Sequence, residues 1–337
     1  MNITELRQQE EFYQQEGLKY ELLIRAASGI YKPIILDDIT LTQERKGAPA
    51  SLEFTVVKDD NISFAHGNQV QLKVNGIGVF MGFVFIKTRD KKQHIKCTAY
   101  DQLRYLKNKD TYLYTKKKAS EVIKDLADKF NLKTGYIEDT GFVIDRRLEE
   151  NKTLFDMIQT ALDLTLISTG QLYCLYDDFG QIRLRNTTKM VSNIMIQADT
   201  VQNFDYTSTI DSDTYNTIKL VRENKETKKT EVFMARDNKM IGEWGILQYF
   251  ETLQDNADGK SRADMLLKLY DHVQRTLTIK GCFGDVFVRA GSFIPVKLHL
   301  GDKIVDNKYL MCERVVHHFK SSIHTMDLTV KGNKYLY

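Results

Sequence analysis

The chain has 337 residues, 42% hydrophobic and 28% charged, a composition that excludes a wholly disordered protein and a length that implies two or three domains of about 100–150 residues. Its 48 Lys and Arg exceed its 45 Asp and Glu by three, which excludes the strong positive field that dominates nucleic-acid affinity. The most apolar run, residues 79–86, is far shorter than the roughly 20 residues of a membrane helix, so membrane insertion is not expected.

Residues 1–17, "MNITELRQQEEFYQQEG", mix charge and polarity without the apolar centre of a signal peptide and read either as an N-terminal arm that orders on a neighbour or as a frayed end. From 18 to 105 the pattern has period two: "YELLIRA", "ITLTQER", "SLEFTVVK", "QVQLKVN", "VFMGFVFIKT" and "HIKCTAYD". Six short strands between turn-like residues predict a first antiparallel β-barrel domain.

The period then changes. Ala119, Val122, Ile123, Leu126, Ala127 and Phe130 recur at helical spacing. Lys116, Lys117 and Lys118 are expected as a solvated helix start. Thr153 with Asp156 three residues on announces a second helix by a capping-box-like pair, and Gly170 ends it. "QLYCLYDDFGQIRLRN" reads as a hairpin turning at Asp178, Phe179 and Gly180. Residues 106–199 thus form a small α+β insertion domain.

Strand patterning resumes in 200–337, with "NTIKLVRE" and "TEVFMARD" as a hairpin. A helix over 261–278 interrupts it, opened by Ser261 and Asp264 and lined by Ala263, Leu266, Leu267, Tyr270, Val273 and Leu277. "AGSFIPVKL" and the last hairpin complete a second β-barrel domain. "GNQVQLKV" from Gly67 and "GSFIPVKL" from Gly291 share glycine, two residues, apolar, any, apolar, lysine, apolar. The fold class is therefore mainly β, with two related antiparallel barrels and an α+β insertion.

Cys97, Cys174, Cys282 and Cys312 form no C-x-x-C pair and sit among apolar residues, so they read as buried free thiols of a protein folded in a reducing compartment. His317, His318 and His324 crowd the last hairpin. Adjacent strand residues point to opposite faces, so one of His317 or His318 can approach His324, giving two ligands where a catalytic zinc needs three. No metal, cofactor or catalytic site is expected. "GKS" at Gly259 lacks the earlier P-loop glycine, since Gln254 stands there, and reads as a helix start. Asp59 with Asp60, and Asp177 with Asp178, are expected to shape polar turns. "KTRDKKQHIKCTAYD" has the lysines and aromatics of a single-strand binding face, but Tyr100 follows strand alternation and reads as packing.

In order along the chain, "GVFMGFV", "AYDQLRYLKN", "LYDDFGQIRLRN", "STIDSDTYNTIKL", "EWGILQ", "RAGSFIPVKL" and "CERVVHHF" resemble the baseplate hub proteins of contractile phage tails and tail-like particles, of the prophage XkdQ/YqbQ type, related in fold to the hub part of type VI secretion spikes. The resemblance implies no enzymatic activity and a homotrimer whose paired barrels form a pseudo-sixfold ring between tail tube and central spike. It implies further contacts with baseplate wedge, tape-measure or LysM-type baseplate proteins, with DNA met only in passage through the channel. Rival readings are a tail-carried cell-wall hydrolase and a carbohydrate-binding tip protein. Subunit or tube contacts are expected at Val79, Phe80, Met81, Phe83, Phe85, Arg89, Lys91, Lys92, Leu310, Arg314, Val316, His318, Lys320 and Ser321, on two strands and their following turns. If the ring conducts DNA, its lumen should be polar or acidic, because lysines and arginines would bind phosphate.

Overall fold

A computed structural model of the chain describes residues 18–59, 62–223, 229–253, 258–300 and 304–332. The N-terminal arm, Asp60 and Gln254 lie outside these residues.

The first β unit contains β1 (Tyr20–Ala26), β2 (Gly29–Tyr31), β3 (Ile35–Glu44), β4 (Ser51–Val57), β5 (Gln69–Val74), β6 (Ile77–Arg89) and β7 (His94–Tyr100). Alternation drives it: Leu52, Phe54 and Val56 of β4 and Val70, Leu72 and Val74 of β5 face one core, with polar residues between them outside.

The α+β unit follows, with β8 (Lys109–Lys118), α1 (Ala119–Lys129), β9 (Thr134–Ile137), β10 (Val143–Thr153), α2 (Leu154–Thr169), β11 (Tyr173–Asp177) and β12 (Ile182–Asn186). The Thr153 hydroxyl accepts the Asp156 amide at 3.1 Å and donates to the Asp156 carboxylate at 2.7 Å, so the capping pair forms as its spacing predicts. Lys116, Lys117 and Lys118 end strand β8 rather than begin a helix. Lys118 is the residue before α1, and its amide donates to Glu121 at 2.8 Å.

The last third contains β13 (Ile196–Gln197), β14 (Asn203–Thr209), β15 (Thr217–Glu223), β16 (Thr230–Arg236), α3 (Asn238–Trp244), β17 (Gln248–Thr252), α4 (Gly259–Tyr270), β18 (Gln274–Phe283), β19 (Phe293–His299), β20 (Ile304–Lys320) and β21 (Ile323–Lys331). The hairpin of β15 and β16 forms as expected, but with β17 it makes a separate three-stranded sheet. That sheet packs on α4 through Ile218, Leu220, Ala263 and Leu266. Helix α4 ends at Tyr270, not near 278, and is capped by Asp258 in place of Ser261. Val273 and Leu277 therefore leave the helical face. Leu277 is instead buried in β18, where pairing with β14 and β21 overrides the helical period.

The same strand order occurs twice: β3-β4-β7-β6-β5 in the first unit and β14-β18-β21-β20-β19 in the second. One row of facing residues in the first, Leu41, Leu52, Ala99 and Val84, corresponds to Tyr206, Leu277, Val330 and Cys312 in the second. Both copies carry a β-bulge just after the last member of the row, between Val84 and Ile86 and between Cys312 and Arg314. The Gly67 amide donates to the Val84 carbonyl at 2.8 Å and the Gly291 amide to the Cys312 carbonyl at 2.7 Å. Both glycines have positive φ, +80° and +92°, which a side chain disfavours.

Among the described residues the units do not close into the two barrels that the sequence suggests. Among the described residues they share one 13-stranded sheet whose main path runs from β14 to β2, with β20 of the second unit paired antiparallel to β3 of the first. The path stays open at both ends. All four cysteines are buried and unbridged, and burial pushes the Cys97 and Cys174 thiols up to about 11 and Cys282 to about 12.

Candidate assembly surface

The residues expected at contacts fall on corresponding strands, β6 and β20, and on the turns that follow them. Strand β20 has 17 residues because it serves two partners in succession. Its first part pairs β19; beyond the bulge it pairs β21 on one edge and β3 on the other, from Arg314 opposite Glu44 to Phe319 opposite Ile39.

Alternation sorts that second part. Val315, His317 and Phe319 are buried, and Phe319 enters the core of the first unit together with Val286. Burying Phe319 stabilises the junction by about 2–3 kcal/mol. Arg314 and Lys320 stay exposed on the other face and reach acids of β3, Arg314 to Glu44 at 3.5 Å and Lys320 to Asp38 at 3.8 Å. Glu313 accepts two hydrogen bonds from Arg45, each 2.9 Å, and its carbonyl accepts the Arg45 amide at 2.9 Å. Arg314, His318 and Lys320 thus meet β3 of the same chain. Leu310 and Val316 are buried, and Ser321 is exposed in the turn.

On β6, Phe80 lies in the core. Met81 is covered from within the chain: its Cε sits where a Cβ at Gly180 would be 1.7 Å away, so the β11–β12 turn seats on it, and Gln69 and Gln71 donate to its sulfur. Phe83 and Phe85 build a half-buried aromatic group with Tyr100 and Tyr105, Phe85 meeting Tyr100 edge-on at 5.5 Å with the Arg104 guanidinium 5.3 Å away. This is packing, as the alternation around Tyr100 predicts. Val79 is half-buried, whereas Arg89, Lys91 and Lys92 are exposed at the end of the strand.

The histidines resolve into two unlike contacts. His317 Nδ1 meets His324 Nε2 at 3.0 Å, while His318 Nε2 meets the Asp327 carboxylate at 3.3 Å on the other face. An N–H···N bond needs one donor and one acceptor, which suits neutral rings. Burial, then the neighbouring His324, holds His317 well below the usual histidine range, and burial lowers His324 to about 4. No group of three or more His, Cys, Asp or Glu placed to hold a metal occurs among the described residues.

The carboxylates are turn elements with one surprise. Asp59 accepts the Ile62 amide at 2.9 Å and Asp177 accepts the Gly180 amide at 2.7 Å. Asp177 also accepts from Gln102 at 2.8 Å, and neighbouring Asp101 caps the turn after β7 and accepts the Ala50 amide. Burial, and Asp177 beside it, push Asp101 well above the usual carboxylate range; burial also raises Asp177. Arg289 of the last third lies 4.2 Å over the Tyr176 ring and 3.6 Å from Asp178. Three units therefore meet at one buried polar knot. "GKS" begins α4, and no described helix is long and apolar enough to cross a membrane.

Sequence reasoning missed the β20–β3 pairing. The available signal was the complementary charge of Arg45 and Glu313, separated by 268 residues, and no local pattern connects them.

A repeated β unit, an α+β unit seated on the first copy and a shared sheet define the fold of phage tail proteins. The 43 kDa tail protein of prophage MuSo2 from Shewanella oneidensis matches with a TM-score of 0.70 at 12% identity, over 94% of this chain and 100% of that one. The E. coli c3393 protein, a component of the type VI secretion system, matches with a TM-score of 0.56 at 8% identity, over 94% of this chain and 78% of that one. The chain belongs to the YqbQ-like family, whose model matches residues 39–331. The phage-like element PBSX protein XkdQ of Bacillus subtilis is 30% identical over 307 residues, 88% of this chain and 92% of that protein.

Proposed function

We propose that the chain is the structural hub of a contractile-tail baseplate, a homotrimer in which six β units, two per chain, form a ring between the tail tube and the central spike. The observation that carries this reading is the repeat itself: three chains with two like units each supply six similar surfaces, which reconciles threefold with sixfold symmetry. The fold shared with tail proteins and with a type VI secretion component supports tube and spike partners and a place in the baseplate of a virion or tail-like particle. Wedge, tape-measure or LysM-type proteins would dock outside the ring, and the chain would act without catalysis.

The outer face of the shared sheet fits a channel wall. One row across it reads Thr325, His318, Thr40, Glu53 and Thr98. Three cations on this face are offset by acids: Lys96 lies 3.0 Å from Glu53, and Arg314 and Lys320 have the partners named above. Such a face would hold nucleic acid weakly and let it slide.

Light scattering tests the assembly. A mass three times the 39.1 kDa chain is expected, and a monomer at every concentration would overturn the ring. Wall zymography and a glycan-binding assay test the rival hydrolase and tip readings, and both should be blank.

A further inference from the structure

The repeat predicts where one chain meets the next. Within a chain, the second unit joins the first by an edge-to-edge strand pair in which Arg314, Val315, Val316 and His317 of β20 face Glu44, Gln43, Thr42 and Leu41 of β3. The matched rows and bulges give the counterparts of both strands. Counting from the bulge, Arg314, Val315, Val316 and His317 correspond to Ile86, Lys87, Thr88 and Arg89 of β6. Counting along the row, Glu44, Gln43, Thr42 and Leu41 correspond to Thr209, Ser208, Thr207 and Tyr206 of β14.

Both counterparts present an open edge. Strand β6 pairs β5 only up to Phe83 and β7 from Phe83 onward, and among the described residues no backbone hydrogen bond occupies the outer edge of 86–89. Strand β14 ends the long sheet and pairs β18 alone. Its sequence "NFDYTST" has neither the lysine nor the proline by which free edges are commonly blunted.

We infer that β6 of one chain pairs antiparallel with β14 of a second copy, Ile86 opposite Thr209, Lys87 opposite Ser208, Thr88 opposite Thr207 and Arg89 opposite Tyr206. The contact is head-to-tail, so repeated use closes a ring or builds an open filament. Each chain would then be joined to its neighbour as its own halves are joined to each other. Before β5, Phe64 meets the Lys87 side chain, whose Nζ donates to the Phe64 carbonyl and lies 4.1 Å from the Phe64 ring; in the other copy Val286 shares a core with Phe319 while β20 pairs β3. One residue further on, the map sets Asp90 opposite Asp205. Asp90 is bonded to His94 at 2.9 Å and Asp205 lies 3.6 Å from Lys280, so the pairing is assigned to the four pairs alone. Arg89 is thereby a subunit contact, while Arg314 and Lys320 serve the junction inside the chain.

This surface rests on the trimer reading, and the test separates the two. A Thr88→Cys, Thr207→Cys chain, both positions being exposed, is oxidised under mild conditions and run on a non-reducing gel, with its mass before oxidation measured by light scattering. The native thiols are buried with raised pKa and stay unreactive. Interchain disulfide should form roughly tenfold more than in a Thr88→Cys, Ser208→Cys chain, because a one-residue slip turns the second thiol to the opposite face. Each single-cysteine chain should give no ladder. A trimer that links no better through 88 and 207 than through 88 and 208 overturns this interface and leaves the ring standing. A monomer overturns both.

Discussion

Arg45 grips Glu313 with two parallel hydrogen bonds of 2.9 Å across the strand pair that joins the two β units. The Arg45 side chain is 9% exposed and that of Glu313 21%, so the contact is partly withdrawn from water and its loss leaves a charge without its fork-like partner.

Arg45→Met should therefore lower stability by about 2–3 kcal/mol in urea denaturation. A double-mutant cycle with Glu313→Gln should return a coupling of about 1–3 kcal/mol. Additive effects would mean that the bidentate geometry contributes nothing to the junction.

The two corresponding glycines should differ in tolerance. Gly67 has open space around a would-be Cβ, so Gly67→Ala should cost about 1–2 kcal/mol for positive φ alone. At Gly291 the added methyl would lie 2.5 Å from Cys174 Sγ, adding about 1–3 kcal/mol of overpacking. Cys174→Ala in the Gly291→Ala background should recover part of the difference, measured by the denaturation midpoint.

Acid should loosen the second unit through His317 and His324. Both hold folded-state pKa values below the ordinary 6.5, with His324 at about 4. The unfolded chain therefore takes up protons that the folded chain refuses, and the stability present above pH 6.5 is lost as pH falls from about 6.5 towards 4. The His324 share is about 2–3 kcal/mol. In His324→Gln the loss across this window should shrink by about that amount in pH-dependent urea titrations. Asp101 and Asp177, whose raised values favour the folded state on acidification, are common to both proteins and drop out of the comparison.

At the start of α2, Thr153→Ala should cost about 1 kcal/mol by removing the acceptor of the Asp156 amide. Thr153→Ser should restore nearly all of it, read from thermal melts.

Local rules made much of this molecule legible. Strands β1 and β4 to β7 follow their alternation, and Thr153 with Asp156 marks a helix start. The β11–β12 turn falls at Asp178, Phe179 and Gly180, and Gly67 and Gly291 align the repeat. What escaped was decided by distant partners. Leu277 continues the helical spacing of Ala263 and Leu266 but is claimed by two flanking strands. Lys116 to Lys118 look like a solvated helix start, yet Lys117 and Lys118 face Ile144 and Val143 of β10 in a ladder. Of the residues expected at contacts, Phe80 lies in the core, Phe83 and Phe85 pack with Tyr100 and Tyr105, Arg314 and Lys320 reach acids of β3, and Arg89 is exposed at the end of β6, since alternation tells inside from outside but not which outside face meets another strand.

The β20–β3 junction also has a consequence for biosynthesis. Its members lie 268 residues apart at Arg45 and Glu313, so at about 5–20 residues per second a ribosome needs on the order of 15–50 s to supply β20 after β3 has emerged. For that interval the nascent first unit shows an unzipped margin, and Phe319 is missing from its interior. Premature termination before the last hairpin would release a chain with that margin permanently bare, a product suited to clumping or to capture by chaperones. Completion of the chain end is thus the step that makes the beginning safe.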